Sequence, residues 1–369
     1  MEYSKIQWCD DTENPVMGCD GCELWPKVAA VVISLVILIH RYTGSAREQI
    51  RECLDRLVEP YESATVLWHR REDLIDKLRE SYADVPAGRW KQVIEQEYRC
   101  YAGVLHLGRG GRPGSYDEPV VSGYAGHFES PWRFPGRMGR TAKRGDLRGQ
   151  VRPKKPWLDA FPRLIFVSDM GDALSAGIDF DHLKTEIIDV VGNPDGRRHV
   201  WLWLTKRPKR MAEFAEWFSD KHGIEWPDNL VAMTSVTNRA TRSRVDQLRK
   251  VPARFRGLSV EPLIESVHID LEGIDWLIVG GESGKFSREF DIEWARSLRG
   301  QCRDNGTAFF VKQLGANPVE DGFPIELLES HGGDWSEWPA DLRVRELPGA
   351  MQFPFSEVAP EDSQLLRDH

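Results

Sequence analysis

Three cysteines have the residue type and spacing of metal ligands. Cys19 and Cys22 form a C-x-x-C pair, and Cys100 follows much later in the chain. A C-x-x-C pair places two thiolates on one side of a turn, and thiolates bind zinc and the iron of iron–sulfur clusters. With a fourth protein ligand, such a site is closed structural zinc; with three ligands on a cluster, one iron stays open for chemistry.

The fourth ligand distinguishes these two interpretations. His106 follows Cys100 closely and would complete a Cys3His zinc site, so zinc and an iron–sulfur cluster both remain open from the spacing. Cys9 and Cys302 are expected to be small buried side chains rather than ligands.

The elements that must position these residues have an α/β pattern. From Arg163 onward, short apolar runs alternate with helix-length polar stretches, as in βα units with buried parallel strands. The runs span 163–170, 199–207, 230–236, 255–263, 274–283 and 308–315. The segment KIQW and a weaker strand within 119–133 would bring the number of strands to eight. The predicted fold is a TIM-like (β/α) barrel, complete or partial.

Polar residues follow most of the predicted strands, and the carboxyl ends of barrel strands are where active sites form. The candidate catalytic residues are Asp169, Lys206, Glu261, Glu282 and Lys312, and the candidate ligand-binding residues are Thr234, Ser235, Gly280, Gly281 and Glu282. Gly280 and Gly281 lack the spacing of a nucleotide-binding fingerprint, so a tight turn is the alternative explanation for them.

Three segments are predicted around these elements. Residues 1–25 and 100–350 form the barrel, 26–99 are a helical insertion, and 351–369 are a flexible tail. The apolar run 28–39 is shorter than the about 20 residues that span a bilayer, so a buried helix and no membrane association are expected. Uneven cysteine spacing without a signal peptide favours a cytoplasmic protein.

Charge is distributed unevenly along the 369-residue chain, whose net charge is −9. The acidic total disfavours nonspecific nucleic-acid binding by the whole surface. Three clusters of basic residues contrast with the acidic net charge, at residues 133–155, 197–210 and 239–244. If the clusters lie on one side of the fold, they could bind along the phosphate backbone of a nucleic acid. The alternative is that they form a solvated surface whose charge is balanced by acidic residues elsewhere.

Several longer motifs resemble a known group. The chain is similar to uncharacterised bacteriophage and bacterial proteins with a three-cysteine motif, which look like radical S-adenosylmethionine (SAM) enzymes. The matching segments are KIQWCDDTENPVMGC, GCDGCELW, RCYAG, PWLDAFPRLIFVSDMGD, WLWLTKRPKRM, TSVTNRAT, LSVEPL, DWLIVGGESG, FFVKQLGANP and HGGDWSEWP.

The resemblance implies a radical SAM barrel with a [4Fe–4S] cluster on Cys19, Cys22 and Cys100. It implies SAM bound at the open iron, with Tyr101 beside Cys100 joining the ligand-binding residues named above. The implied chemistry is reductive cleavage of SAM to a 5′-deoxyadenosyl radical, which requires an electron donor. The common radical SAM spacing, C-x-x-x-C-x-x-C within one loop, differs from the spacing here. The expected substrate is a nucleotide or nucleic acid.

Two other functions fit the same residues. One is a zinc-stabilised protein that binds nucleic acid or a partner without catalysis. The other is a barrel hydrolase that uses Asp169, Glu261 and Glu282 as acid, base or metal-binding groups, with the cysteines structural. The oligomeric state is not predicted.

Overall fold

A computed structural model describes residues 6–17, 44, 132–133, 135–169, 171–175, 178–284 and 287–352. The chain divides into two compact units. The larger unit includes described residues 6–15, 135–169, 179–284 and 287–352, and the smaller includes 16–17, 44, 132–133, 171–175 and 178. The predicted cysteine site with Tyr101 and His106, the apolar run 28–39, nearly all of the predicted insertion and most of the predicted tail lie outside the described residues.

The larger unit is built on a parallel sheet. Its seven strands lie in the order β1-β4-β5-β6-β7-β8-β10, all parallel to their neighbours, and form a partial barrel. The strands of the described chain are β1 Asp11–Glu13, β2 Val16–Met17, β3 Trp132–Arg133, β4 Leu164–Val167, β5 Val200–Thr205, β6 Leu230–Ser235, β7 Arg256–Val260, β8 Trp276–Gly280, β9 Phe290–Asp291, β10 Ala308–Gln313, β11 Pro318–Glu320 and β12 Phe323–Pro324.

Helices connect most of the parallel strands. They are α1 Arg137–Ala142, α2 Phe180–Leu183, α3 Asp189–Gly192, α4 Pro208–His222, α5 Arg244–Leu248 and α6 Ile292–Asn305, with a π-helix at Lys184–Ile188 between α2 and α3. The helix α4 begins with Pro208, whose fixed φ suits the first helical position, and ends before Gly223 at φ 64°. Its apolar residues are buried on one side, as expected for a helix that packs on a sheet.

The strand predictions agree with this sheet. Each of the six apolar runs contains one parallel strand, and a partial barrel is confirmed. The eighth-strand candidates differ from the expectation: KIQW precedes β1, and β3 pairs antiparallel with β2 rather than joining the parallel sheet. The polar segment at β1 carries no apolar signal that would identify it as a strand.

The two faces of the sheet bury different partners. On one face, Phe166, Leu202, Met233 and Phe310 belong to a core cluster that includes Trp8. On the other face, Trp203 contacts Phe214 of α4, with ring centroids 5.8 Å apart. Neighbouring residues of a strand point to opposite faces, so these contacts assign each position of the strand to a face.

The strand β1 carries charge into the interior. Asp10, Asp11 and Glu13 are all buried. Arg152 Nε lies 2.8 Å from Asp10 Oδ1, and Arg144 Nη1 lies 2.6 Å from Asp11 Oδ1. These arginines belong to the basic cluster at 133–155, so part of its charge is neutralised within the fold.

Two other expectations concern cysteine and the membrane. Cys9 and Cys302 are buried, as predicted. Within the described ranges, no helix has both the length and the hydropathy needed to span a bilayer.

Candidate active site

A polar layer follows the apolar core at the carboxyl ends of the strands. Side chains two residues apart in a strand share a face, so the residues that follow the core positions continue the same face of the sheet. The polar layer comprises the residues at these strand ends, namely Ser168, Lys206, Ser235, Ser259, Glu261, Gly280 and Lys312, and the register places Ser235 directly opposite Ser259. An apolar floor topped by ionisable groups is the arrangement in which barrel enzymes place their chemistry.

Glu261 and Lys312 form the charged pair of this layer. Lys312 Nζ lies 2.9 Å from Glu261 Oε1, at ion-pair distance although not at a hydrogen-bonding angle, and the side chains are 26% and 11% exposed. The register between β8 and β10 shifts at Lys312, and such bulges redirect a side chain. Ser259 Oγ donates to Glu261 Oε2 at 3.1 Å. The pair is therefore held by residues from two strands.

Gly280 leaves room for the carboxylate of Glu261. A Cβ atom at this position would lie 3.3 Å from Glu261 Oε1 and 3.4 Å from the Gln313 carbonyl oxygen. Contacts this short require the neighbours to move, so a larger residue here would displace the carboxylate.

Two polar atoms in this layer have unused hydrogen-bonding capacity. Within the described part of the chain, the buried Ser168 Oγ and Glu261 Oε1 have no hydrogen-bond partner. An unsatisfied buried polar group costs about 1–3 kcal/mol, and the nearby Lys312 Nζ compensates this cost electrostatically for Glu261 Oε1. Both atoms can accept a hydrogen bond from a bound molecule.

The other two predicted carboxylates have partners of their own. Asn14 Nδ2 donates to Asp169 Oδ1 at 2.5 Å. Arg288 donates to Glu282 Oε2 from its backbone nitrogen and from Nε, both at 2.9 Å. The described residues include no group of three or more histidine, cysteine or acidic side chains arranged to hold a metal ion.

The predicted ligand-binding residues of β6 and β8 are closely packed. Thr234 is fully buried and its Oγ1 donates to the Thr205 carbonyl oxygen at 2.8 Å. Ser235 is 1% exposed, and its carbonyl oxygen accepts from Arg244. A Cβ atom on Gly281 would lie 2.2 Å from the Leu314 carbonyl oxygen, so this glycine allows two backbone segments to pack closely.

Lys206 lies in a cavity of about 400 Å³, hereafter the basic groove. The described residues that line it are Lys206, Arg207, Pro208, Lys209, Arg210, Glu213, Ser243, Arg244 and Gln247. The groove combines the start of α4 with α5, and thus brings together residues of the second and third predicted basic clusters.

Some residues of this edge were missing from the sequence prediction. Asn14 and Arg288, the partners of Asp169 and Glu282, were not candidates. Asn14 directly follows β1, so the rule used for the other strands would have identified it had β1 been recognised. Arg288 comes from a connection after β8 and carries no comparable signal.

Comparison with known proteins places the chain in one family. No curated protein matches the chain, and no solved structure matches it. Residues 124–347 match a family described as protein of unknown function (DUF5131), which covers the parallel strands from β4 to β10. The chain belongs to the DUF5131 family.

Proposed function

We propose that this protein is a radical SAM enzyme that modifies or repairs a nucleotide or nucleic acid, with its reaction at the carboxyl edge of the partial barrel. The observation that supports an active site there is the Glu261–Lys312 pair above the apolar core, held by Ser259. Ser168 Oγ, at the end of β4 of the same sheet, is buried without a hydrogen-bond partner among the described residues. A charged pair held for stability alone is weakly favourable at best, because desolvation offsets its attraction.

The proposed cofactor depends on the three cysteines outside the described residues. As donors, Cys19, Cys22 and Cys100 fit a cluster with one open iron, because thiolates are the usual ligands of iron–sulfur clusters. With SAM, such a cluster supplies one-electron cleavage and hydrogen abstraction. The electrons would come from a separate donor.

The residues of the polar layer have defined roles in this proposal. Lys312 Nζ binds an anionic group of the ligand, and Glu261 Oε1 accepts a proton-bearing group of it. Ser168 Oγ orients the ligand by a hydrogen bond. The apolar layer below, including Phe166 and Ile278, excludes water from the underside of the site, which strengthens each of these polar contacts.

The test of the cofactor is anaerobic purification with iron, sulfide and zinc analysis, then electron paramagnetic resonance after dithionite reduction, with and without SAM. We expect about four irons and four sulfides per chain and a spectrum that changes when SAM is added. Cys19→Ala, Cys22→Ala and Cys100→Ala should each lose the signal. Cys302→Ala is the matched control, because this cysteine is buried in α6 and should leave the iron content unchanged.

One zinc and no iron after anaerobic reconstitution would rule out the radical mechanism and favour the zinc-stabilised binding protein. The hydrolase alternative predicts cooperating carboxylates, whereas Asp169, Glu261 and Glu282 are held by three different partners.

A further inference from the structure

The basic groove concentrates positive charge in an acidic protein. Among the described residues that line it, five are cationic, namely Lys206, Arg207, Lys209, Arg210 and Arg244, and one is acidic, Glu213. The net charge of the whole chain is −9. Like charges gathered in one concave site focus the electrostatic field there and attract an oppositely charged ligand.

Several contacts hold the groove in shape without a ligand. Arg244 Nη1 donates to the Ser235 carbonyl oxygen at 3.1 Å, which ties α5 to the end of β6. The guanidinium carbon of Arg210 lies 4.7 Å from the centre of the Phe180 ring. The backbone nitrogen of Arg207 donates to Thr205 Oγ1 at 2.9 Å, which positions the start of α4. Preorganised side chains lose less conformational entropy when a ligand binds.

The Lys209–Glu213 pair of the groove differs from two structural arginine pairs of the same fold. Beside β1, Arg152 and Arg144 each meet a buried carboxylate at 2.8 and 2.6 Å. In the groove, the lining carboxylate Glu213 lies 3.7 Å from Lys209, and both side chains are substantially exposed, at 49% and 77%. An exposed pair at this distance contributes little and is readily exchanged for a stronger anion.

The position of the groove connects it with the candidate active site. Lys206 follows β5 and Arg244 contacts the end of β6, while Glu261 follows β7, so all three lie at the same edge of the sheet. Parallel strands are about 4.8 Å apart, which places β5 about 10 Å from β7. This distance corresponds to about three nucleotides of a stacked strand, which rise about 3.4 Å each, and to fewer nucleotides of an unstacked one.

We propose that the basic groove binds consecutive backbone phosphates of a single-stranded nucleic acid and so presents a nucleotide to the Glu261–Lys312 pair. Five cationic side chains exceed what one phosphate monoester needs, since its charge is about −2 at neutral pH. The exposure of Lys209 leaves room for a strand to continue past the groove. This proposal deepens the proposed function by naming the form of its substrate and where the backbone binds.

The test is fluorescence anisotropy with short fluorescein-labelled single-stranded DNA and RNA, on full-length protein with and without reconstituted metal, from about 50 to 200 mM salt. Wild type should bind with an affinity that falls steeply with salt. Lys209→Gln and Arg207→Gln should each weaken binding by about fivefold or more and lower the salt slope by about 0.7 per lost phosphate contact. Thermal unfolding checks that each variant is folded.

Lys221→Gln is the matched control. Lys221 is an exposed lysine of the same helix, roughly 18 Å from Lys209 along α4, and its loss should change the affinity by less than about twofold. Equal losses in Lys209→Gln and Lys221→Gln would refute the groove as the site. A mononucleotide or nucleoside triphosphate that competes as well as the oligonucleotide would replace the polynucleotide with a single nucleotide and overturn the proposal.

The two proposals fail separately. Loss of oligonucleotide binding in the groove variants, with their iron content unchanged, supports the groove whatever the cofactor proves to be. Iron and a SAM-sensitive spectrum without any oligonucleotide binding would keep the cofactor proposal and remove the groove from it.

Discussion

At the scale of single residues, Lys312 and Glu261 depend on each other. Lys312→Met would leave a carboxylate that is 11% exposed without its counter-charge, and we expect the free energy of unfolding to fall by about 1–3 kcal/mol. Glu261→Gln combined with Lys312→Met should recover much of this loss, because neither charge then remains alone. Urea unfolding of both single variants and the double variant measures the coupling energy.

The exposed pair Lys209–Glu213 provides the comparison for this cycle. Its atoms are 3.7 Å apart and its coupling energy should be at most about 0.5 kcal/mol. Equal coupling in the two pairs would contradict the view that burial at the sheet edge makes the Glu261–Lys312 pair special.

His199 makes stability depend on pH. It is fully buried, with Nε2 2.9 Å from the Ala142 carbonyl oxygen, and burial lowers its pKa. When the pH falls below the ordinary histidine pKa of about 6.5, His199 becomes protonated in the unfolded chain but stays neutral in the folded chain. The stabilisation is fully present above that pH and declines as the pH falls toward the lowered pKa of the folded state, by at most about 1.4 kcal/mol per pH unit.

The measurement is the free energy of unfolding between about pH 7 and pH 5. His199→Gln keeps a donor for the Ala142 carbonyl oxygen but does not titrate, so its curve should be flatter than that of wild type. His268→Gln, which removes an exposed histidine, is the matched control. Parallel curves for wild type and His199→Gln would show that another group controls this pH range.

At the scale of elements, the strand β1 depends on charge pairing. Asp10→Asn would leave the guanidinium of Arg152 buried beside an uncharged amide, and both side chains are less than 10% exposed. We expect a loss of about 3–5 kcal/mol, measured by denaturant unfolding. The same substitution at Asp146, whose pair with Arg148 is 3.7 Å long and about one-third exposed, should cost less than about 0.5 kcal/mol. Similar costs at the two positions would be evidence against a structural role for the buried pair.

A strand could be predicted from the sequence when the residues that stabilise it are neighbours in the chain. The strands β4 to β8 and β10 are buried on both faces, so each is visible as a run of apolar residues. The strand β1 has the sequence Asp-Thr-Glu, and its burial depends on arginines more than a hundred residues away. A local pattern cannot reveal such partners. The strand was therefore missed, whereas the sheet around it was predicted.

The same limit applies to the candidate site. Polar residues after the strands were predictable, because the ends of parallel strands meet at one edge. The contacts among these residues could not be predicted from the sequence. The contact of Lys312 with Glu261, for example, depends on a register shift in β10. The carbonyl oxygen of Lys312 also accepts from Arg345, whose guanidinium lies 4.2 Å from the centre of the Trp157 ring. Side chains distant in sequence thus hold the bulge in place.

At the scale of the whole molecule, residues 18–131 lie between the strands β2 and β3 in sequence. These two strands pair antiparallel, with Met17 directly opposite Trp132. Adjacent antiparallel strands can be joined by a turn of two residues, so the intervening 18–131 can be replaced without stretching the chain. The residues that flank this segment, Met17 and Trp132, are therefore neighbours in the fold.

Replacing residues 18–131 by a short Asn-Gly turn should leave the parallel sheet able to fold, because its strands come from residues 11–13 and 164–313. The shortened protein should retain a cooperative unfolding transition and the far-ultraviolet circular dichroism of an α/β protein, within about 2–3 kcal/mol of the full chain's stability. It should bind no iron and no zinc at the three-cysteine site, because Cys19, Cys22 and Cys100 are removed together. A transition without cooperativity would show instead that the sheet needs the segment to complete its core. Metal bound as in the full chain would show that these three cysteines are not the ligands.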